Sequence, residues 1–146
     1  GAVLRLAAED GIEETAAMLN QRSGLKGLSG GLSDMRALLE SDDARAAFAV
    51  EHFCYWAVRH GGGLVAAMGG VDAIAFTGGI GEHAAPVREK IAQGFAWLGL
   101  ALDAEANTRS AARLHLQGSD VECWIVPAEE ERQIAADTLR VLEGDG

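Results

Sequence analysis

Basic residues are scarce in this 146-residue sequence: 12 Lys and Arg stand against 22 Asp and Glu, a formal charge of −10. A surface that neutralises a phosphate backbone needs clustered cations, so nucleic acid is not an expected partner. A single nucleotide is not excluded, because backbone N–H groups, helix N-termini and a divalent cation hold phosphates without many basic side chains. Cysteine is sparse too. Cys54 falls in a helical pattern and Cys123 in an apolar, strand-like run, with no C-x-x-C or Cys/His spacing. Two buried free thiols in a reducing cytoplasm are therefore expected, not a disulfide or a zinc site. Long apolar runs are also missing, since charges or glycines interrupt every stretch well before the ~20 residues of a membrane span. No charged opening followed by an apolar stretch marks a signal peptide. Position 1 is Gly, not Met, and a natural protein that continues upstream is expected.

What is present is enough for one core. An apolar fraction of 49% in a chain of this length predicts a single domain over 1–146. From Val3 to Leu19 the pattern predicts two short helices joined at Gly11. Glycines and serines crowd positions 23–33 and predict a bent loop. Ser33 then serves as the expected N-cap of a short helix through Met35, Leu38 and Leu39, with Asp34 in its first turn. The longest helix follows, with a stripe of Val50, Phe53, Cys54, Ala57, Val58, Gly61, Leu64, Val65 and Met68. Phe48, Tyr55 and Trp56 lie off that stripe, which predicts burial on a second side by something else. Gly61-Gly62-Gly63 inside it predicts close packing or a break.

Residues 72–77 read as a central strand and 121–126 as a second one. Between them a helix is expected from Pro86 through Val87, Ile91, Phe95 and Leu98, ended by Gly99. After Pro127, the run Glu129-Glu130-Glu131 opens a last helix whose inner face is Ile134, Thr138, Val141 and Leu142. Residues 102–119 carry little readable pattern. Trp56, Trp97 and Trp124 are expected to fill core or interface space, and His52, His60 and His115 to take surface or core roles.

The chemistry-bearing signal is the strand that leads into Gly78-Gly79-Ile80-Gly81-Glu82-His83. Glycines at a strand's C-terminal end let backbone amides approach a ligand, and the next helix adds a positive dipole end. The spacing is neither G-x-G-x-x-G nor G-x-x-x-x-G-K-[ST], so the dinucleotide and P-loop readings both fail. Spacing alone leaves two readings open: a ligand loop, or a tight turn that packs strand on helix.

The segment Phe76-Thr77-Gly78-Gly79-Ile80-Gly81-Glu82 resembles the F-T-G-G-I-G-E-N stretch of acetate kinases. Leu19-Asn20, Ser23-Gly24-Leu25, Gly27, Ser29-Gly30 and Ser33-Asp34-Met35-Arg36 are similar to that family's L-N-x-x-S-G-L-x-G-x-S-G and S-D-x-R. Val87-Arg88-Glu89, 98–103 and 126–131 continue the likeness, which runs from about Ala2 to Leu142.

The resemblance implies an α/β fold: the C-terminal ribonuclease H-like (actin-like ATPase) domain of a two-domain kinase, a central sheet with flanking helices, its N-terminal domain absent. It implies that Asp34, Met35 and Arg36 form one wall of an adenosine pocket and Gly79, Ile80, Gly81, Glu82 and His83 the facing loop. His83 replaces the family's usual Asn, which changes shape and titration. Glu130 would help place Mg²⁺, directly or through water, with ATP as co-substrate. No catalytic residue is assigned within this chain, and alone it is expected to be inactive. The intact enzyme would convert ATP and acetate to ADP and acetyl phosphate in the cytoplasm, as a homodimer whose contact lies mostly in this domain. A propionate or butyrate kinase, or a non-catalytic nucleotide-binding or dimerisation module, are the alternatives.

Overall fold

The computed structural model describes residues 1–142 and 144, apart from the side chains of 130–133 and 136. The elements are α1 (Ala2–Asp10), α2 (Ile12–Ala17), α3 (Gly24–Ser29), α4 (Met35–Leu39), α5 (Ala44–Met68), β1 (Ala73–Phe76), α6 (Gly78–His83), α7 (Ala85–Gly94), α8 (Ala104–Thr108), β2 (Glu122–Ile125) and α9 (Glu130–Leu142). A π turn spans Met18–Arg22 and a 3₁₀ turn spans Ala96–Leu98.

Helix α5 organises the chain. The Asp43 carboxylate accepts from the Arg45 N–H at 2.8 Å to start it, and Gly69, at φ 77°, ends it. Ala46, Ala49, Val50, Cys54 and Val65 are buried along it, while α3, α4 and α7 pack on its sides. The expected break at Gly61–Gly63 is absent, and close packing explains Gly61. A Cβ there would stand 2.7 Å from Phe95 Cζ, and one at Gly94 of α7 would stand 2.5 Å from Val58 Cγ2. α5 thus receives the Phe95 ring, at the end of α7, into one glycine gap, and α7 receives Val58 of α5 into the other.

β1 and β2 pair in parallel, with Ile74 beside Cys123 and Phe76 beside Ile125. A parallel pair needs a long crossover, and α6, α7 and α8 supply it. On its other side β2 is bridged antiparallel to the 112–115 arm, where Leu114 N–H donates to Cys123 O at 2.8 Å and Ile125 N–H to Ala112 O at 2.8 Å. Cys123 N–H also donates to His115 Nδ1 at 2.9 Å. The sheet is two-stranded among the described residues. No described helix is long and apolar enough to cross a membrane.

Several expectations are corrected. Residues 24–29 are helical, because Leu25 and Leu28, one turn apart, lie against the core and outweigh the glycine propensity. Asp34, not Ser33, caps α4, its Oδ1 accepting from Ala37 N–H at 3.0 Å. The glycine stretch after β1 forms α6: Gly78 takes φ 69°, and Gly81 folds back so closely that a Cβ would lie 3.1 Å from the Phe76 carbonyl carbon.

The expected helix from Pro86 to Leu98 is split. α7 starts at Ala85 and ends at Gly94, and the 3₁₀ turn is the part that Gly99 closes at φ 86°. Leu64 and Met68 of the α5 stripe and all four residues assigned to the inner face of α9 are exposed, and Trp97, exposed too, stands outside the core. Phe48 and Tyr55 are exposed on the lone chain, so the second side expected to be covered by something else is open to a partner. Amphipathic spacing identifies an apolar face without supplying its partner. The patternless 102–119 stretch contains α8, begun by Asp103 Oδ1 accepting from Ala106 N–H at 2.9 Å. Both thiols are free and buried, as expected.

Candidate functional site

A cleft of about 680 Å³ opens where α4 faces the α6–α7 joint. Ser33, Asp34, Met35, Arg36, Leu39 and Glu40 form one wall, and Gly79, Ile80, His83, Ala84 and Pro86 the other. Six of the eight residues expected around a nucleotide, namely Asp34, Met35, Arg36, Gly79, Ile80 and His83, are therefore brought together across more than forty positions of sequence.

The first wall is set locally. Asp34 is the cap of α4, Met35 is buried against the core, and Arg36 Nε donates to Glu40 Oε1 at 3.0 Å. That ion pair is solvated on both sides, the kind worth ~0–1 kcal/mol. It leaves the Arg36 guanidinium at the cleft rim.

The second wall is set from a distance. Gly81 and Glu82 do not line the cleft. Gly81 lies against Phe76, and Glu82 Oε1 accepts from Ala128 N–H at 2.9 Å, tying α6 to the segment that leads into α9. Behind them stands Arg88 of α7, with no exposed surface. Its Nε donates to Asn107 Oδ1 at 2.8 Å. Nη1 donates to Gly81 O at 3.0 Å and Glu82 O at 2.9 Å, and Nη2 to Asn107 O at 2.7 Å and Ser110 Oγ at 3.1 Å. All five guanidinium N–H groups are thereby used. Burial pulls the Arg88 pKa down from its ordinary value, and the charge of Cys123 acts in the other direction.

Sequence reading missed Ser33, Leu39, Glu40, Ala84 and Pro86 as lining residues and Arg88 as the support. The four-residue step from Arg36 to Glu40 is a legible helix pair. The Arg88 partners Asn107, on α8, and Ser110, just beyond it, are 19 and 22 positions away and left no local signal.

Glu130 opens α9, but its side chain lies outside the described residues. No group of three His, Cys, Asp or Glu among the described residues could hold a metal. A magnesium ion that keeps water and phosphate oxygens needs only one or two protein carboxylates, so a carboxylate at this helix start suits it in donor chemistry. His52, His60 and His115 do not line the cleft. Trp56 Nε1 donates to His52 Nε2 at 3.0 Å, and the His60 ring lies tilted beside the same indole, its centroid 5.3 Å away, so these two imidazoles serve the surface of α5.

The acetokinase family profile matches residues 3–136. An acetate kinase of Rhizobium meliloti is 46% identical over 144 residues, covering 97% of this chain and 37% of the relative. Among solved structures, a Porphyromonas gingivalis acetate kinase superposes with a TM-score of 0.83 at 31% identity, over 97% of this chain and 38% of that one. A propionate kinase of Francisella tularensis superposes with a TM-score of 0.82 at 29% identity, over 92% and 36%. The chain thus spans less than two-fifths of the length of the relatives it matches.

Proposed function

The chain belongs to the acetokinase family, and from that premise we propose that it is the adenosine-gripping part of an acetate kinase: a single ribonuclease H-like domain, C-terminal in a two-domain enzyme. The observation that carries this reading is the cleft, where Asp34-Met35-Arg36 meets Gly79, Ile80 and His83. Apolar contact from Met35 and Ile80 suits a purine face. The carboxylate, guanidinium and imidazole at the rim suit the polar groups of a nucleoside. His83 takes the part of hydrogen-bonding neighbour that the family's Asn would fill. Gly81 and Glu82, although proposed with the facing loop, act from behind it by shaping the turn.

In the intact enzyme a carboxylate oxygen of acetate attacks the γ-phosphorus of ATP as the bond to ADP breaks, giving acetyl phosphate and ADP. Such a transfer rests on positioning and on neutralising charge over the phosphoryl oxygens. Mg²⁺, held through Glu130, would supply part of that neutralisation. The remaining charge-bearing groups and the acetate site are assigned to the N-terminal domain, and the cytoplasmic homodimer to contacts of this one. Acetate, not a longer acyl substrate, follows the relative with the higher identity.

Calorimetric titration of the 146-residue chain with ADP and with ATP, each with Mg²⁺, tests the reading together with an acetyl phosphate assay. Weak but saturable nucleotide binding without acetyl phosphate formation is expected. Acetyl phosphate made by the chain alone would overturn the division of labour, and the absence of any nucleotide binding would overturn the assignment of the cleft.

A further inference from the structure

We propose that Arg88, with Asn107 and Ser110, is a positioning device for the nucleotide-facing wall; this deepens the adenosine-binding reading and rests on it. The geometry has three parts. First, Arg88 is an ion buried without a carboxylate partner among the described residues. Its acceptors are backbone carbonyls in the last turn of α6 (Gly81, Glu82) and the last turn of α8 (Asn107), plus the Asn107 side-chain oxygen and one hydroxyl. Helix C-termini carry partial negative charge and unpaired carbonyls, so two of them converge on one cation.

Second, Asn107 extends the brace across the joint. Its Oδ1 accepts from Arg88 Nε while its Nδ2 donates to Ala85 O at 2.9 Å. Gly81 and Glu82 precede Ala84 and Ala85 follows it, so the pair grips both sides of the point where α6 becomes α7. His83, Ala84 and Pro86, three cleft residues, sit at that point. Third, Ser110 holds φ 50°, a conformation uncommon outside glycine, and from it the hydroxyl reaches Nη2.

A guanidinium supplies five donors in a fixed plane; an ammonium supplies three on a flexible stem. Arg88→Lys keeps the charge and cannot make the set. Displacing the joint moves the purine-facing backbone, and site geometry tolerates little displacement. Arg88 therefore acts through Gly81, Glu82 and Ala85 and is a positioning residue that touches no ligand.

The test is the ADP dissociation constant of the wild-type chain, R88K, R88A and S110A by calorimetry, together with amide hydrogen exchange at 78–88. R88K is expected to weaken ADP binding by about tenfold and S110A, which loses one of five acceptors, by about threefold. In both, exchange accelerates at 78–88 and stays unchanged along the middle of α5. Millimolar guanidinium is expected to restore ADP binding to R88A, and methylammonium to leave it weak; a brace needed only for folding would show no such selectivity. Should the Arg88 variants fail to fold, S110A decides. Folded R88K or S110A with a wild-type ADP constant would overturn the proposal while leaving the cleft assignment intact. A wild-type chain that binds no ADP would overturn both.

Discussion

The two walls of the cleft are built on opposite principles. α4 carries its own start signal, the Asp34 carboxylate, and buries Met35 and Leu38 against α5, so its five residues are held by a local cap and by the helix directly beside them. α6 has no side-chain cap and contains three glycines in six residues. Its shape is borrowed from Arg88, whose contacts reach forward to α8 and back to the turn. Glycines let backbone come close to a ligand but cost helix propensity, so a glycine-rich wall needs an anchor outside itself. The difference predicts that damage to the first wall stays local and damage to the second spreads.

The largest expected effect follows from removing that anchor. Arg88→Met leaves the part-buried carbonyls of Gly81 and Glu82 and the buried one of Asn107 without this donor, and a loss of about 3 kcal/mol or more in urea unfolding is expected. A loss below 1 kcal/mol would show that the second wall is self-supporting. Next comes Gly94→Ala, which pushes a methyl into Val58 where α7, bearing one wall, meets α5, which supports the other. Overpacking of this kind costs about 1–3 kcal/mol, and a melting temperature equal to wild type would sink the claim of close contact.

A smaller, pH-dependent effect reports on the interior beside the anchor. Burial pushes the Cys123 thiol up to about 11, with the Arg88 guanidinium pulling the other way. The folded state favours the protonated thiol. Its contribution is complete below the ordinary value near 9 and is lost as pH rises from there towards about 11. Stability is expected to fall across that interval and less so in Cys123→Ala; identical slopes in the two would contradict the burial argument. Native Cys123 should accordingly resist thiol reagents at pH 8.

The smallest effect belongs to the first wall. Asp34→Ala removes the α4 cap and should cost about 1 kcal/mol in urea unfolding. Amide exchange at 78–88 should stay as in wild type. Accelerated exchange there would break the contrast between a local and a braced wall.

Much of this was legible without coordinates, and what was not has physical reasons. The strands at 73–76 and 122–125 and the long α5 declared themselves because short apolar runs and 3.6-residue spacing are local properties. The two motifs that meet at the cleft were picked out as well. The helical state of 24–29 and 78–83 was hidden because local glycine preference points the other way, and tertiary contacts from Leu25, Leu28 and Arg88 decide. The Ser33 and Asp34 ambiguity is a one-residue shift between two good capping side chains, settled by which oxygen reaches Ala37 N–H. The apolar side of α9 was visible as a period, yet Ile134, Val141 and Leu142 are exposed, because spacing carries no information about what covers it.

Amide chemical shifts of the 146-residue chain, recorded with and without saturating Mg²⁺-ADP, test the central claim most directly. The account predicts that the perturbed amides cluster in two groups, 33–40 and 79–88, with little change in α1, α2 or the arm at 112–115. Perturbations centred away from both α4 and the α6–α7 joint, or none at all at saturating nucleotide, would contradict it.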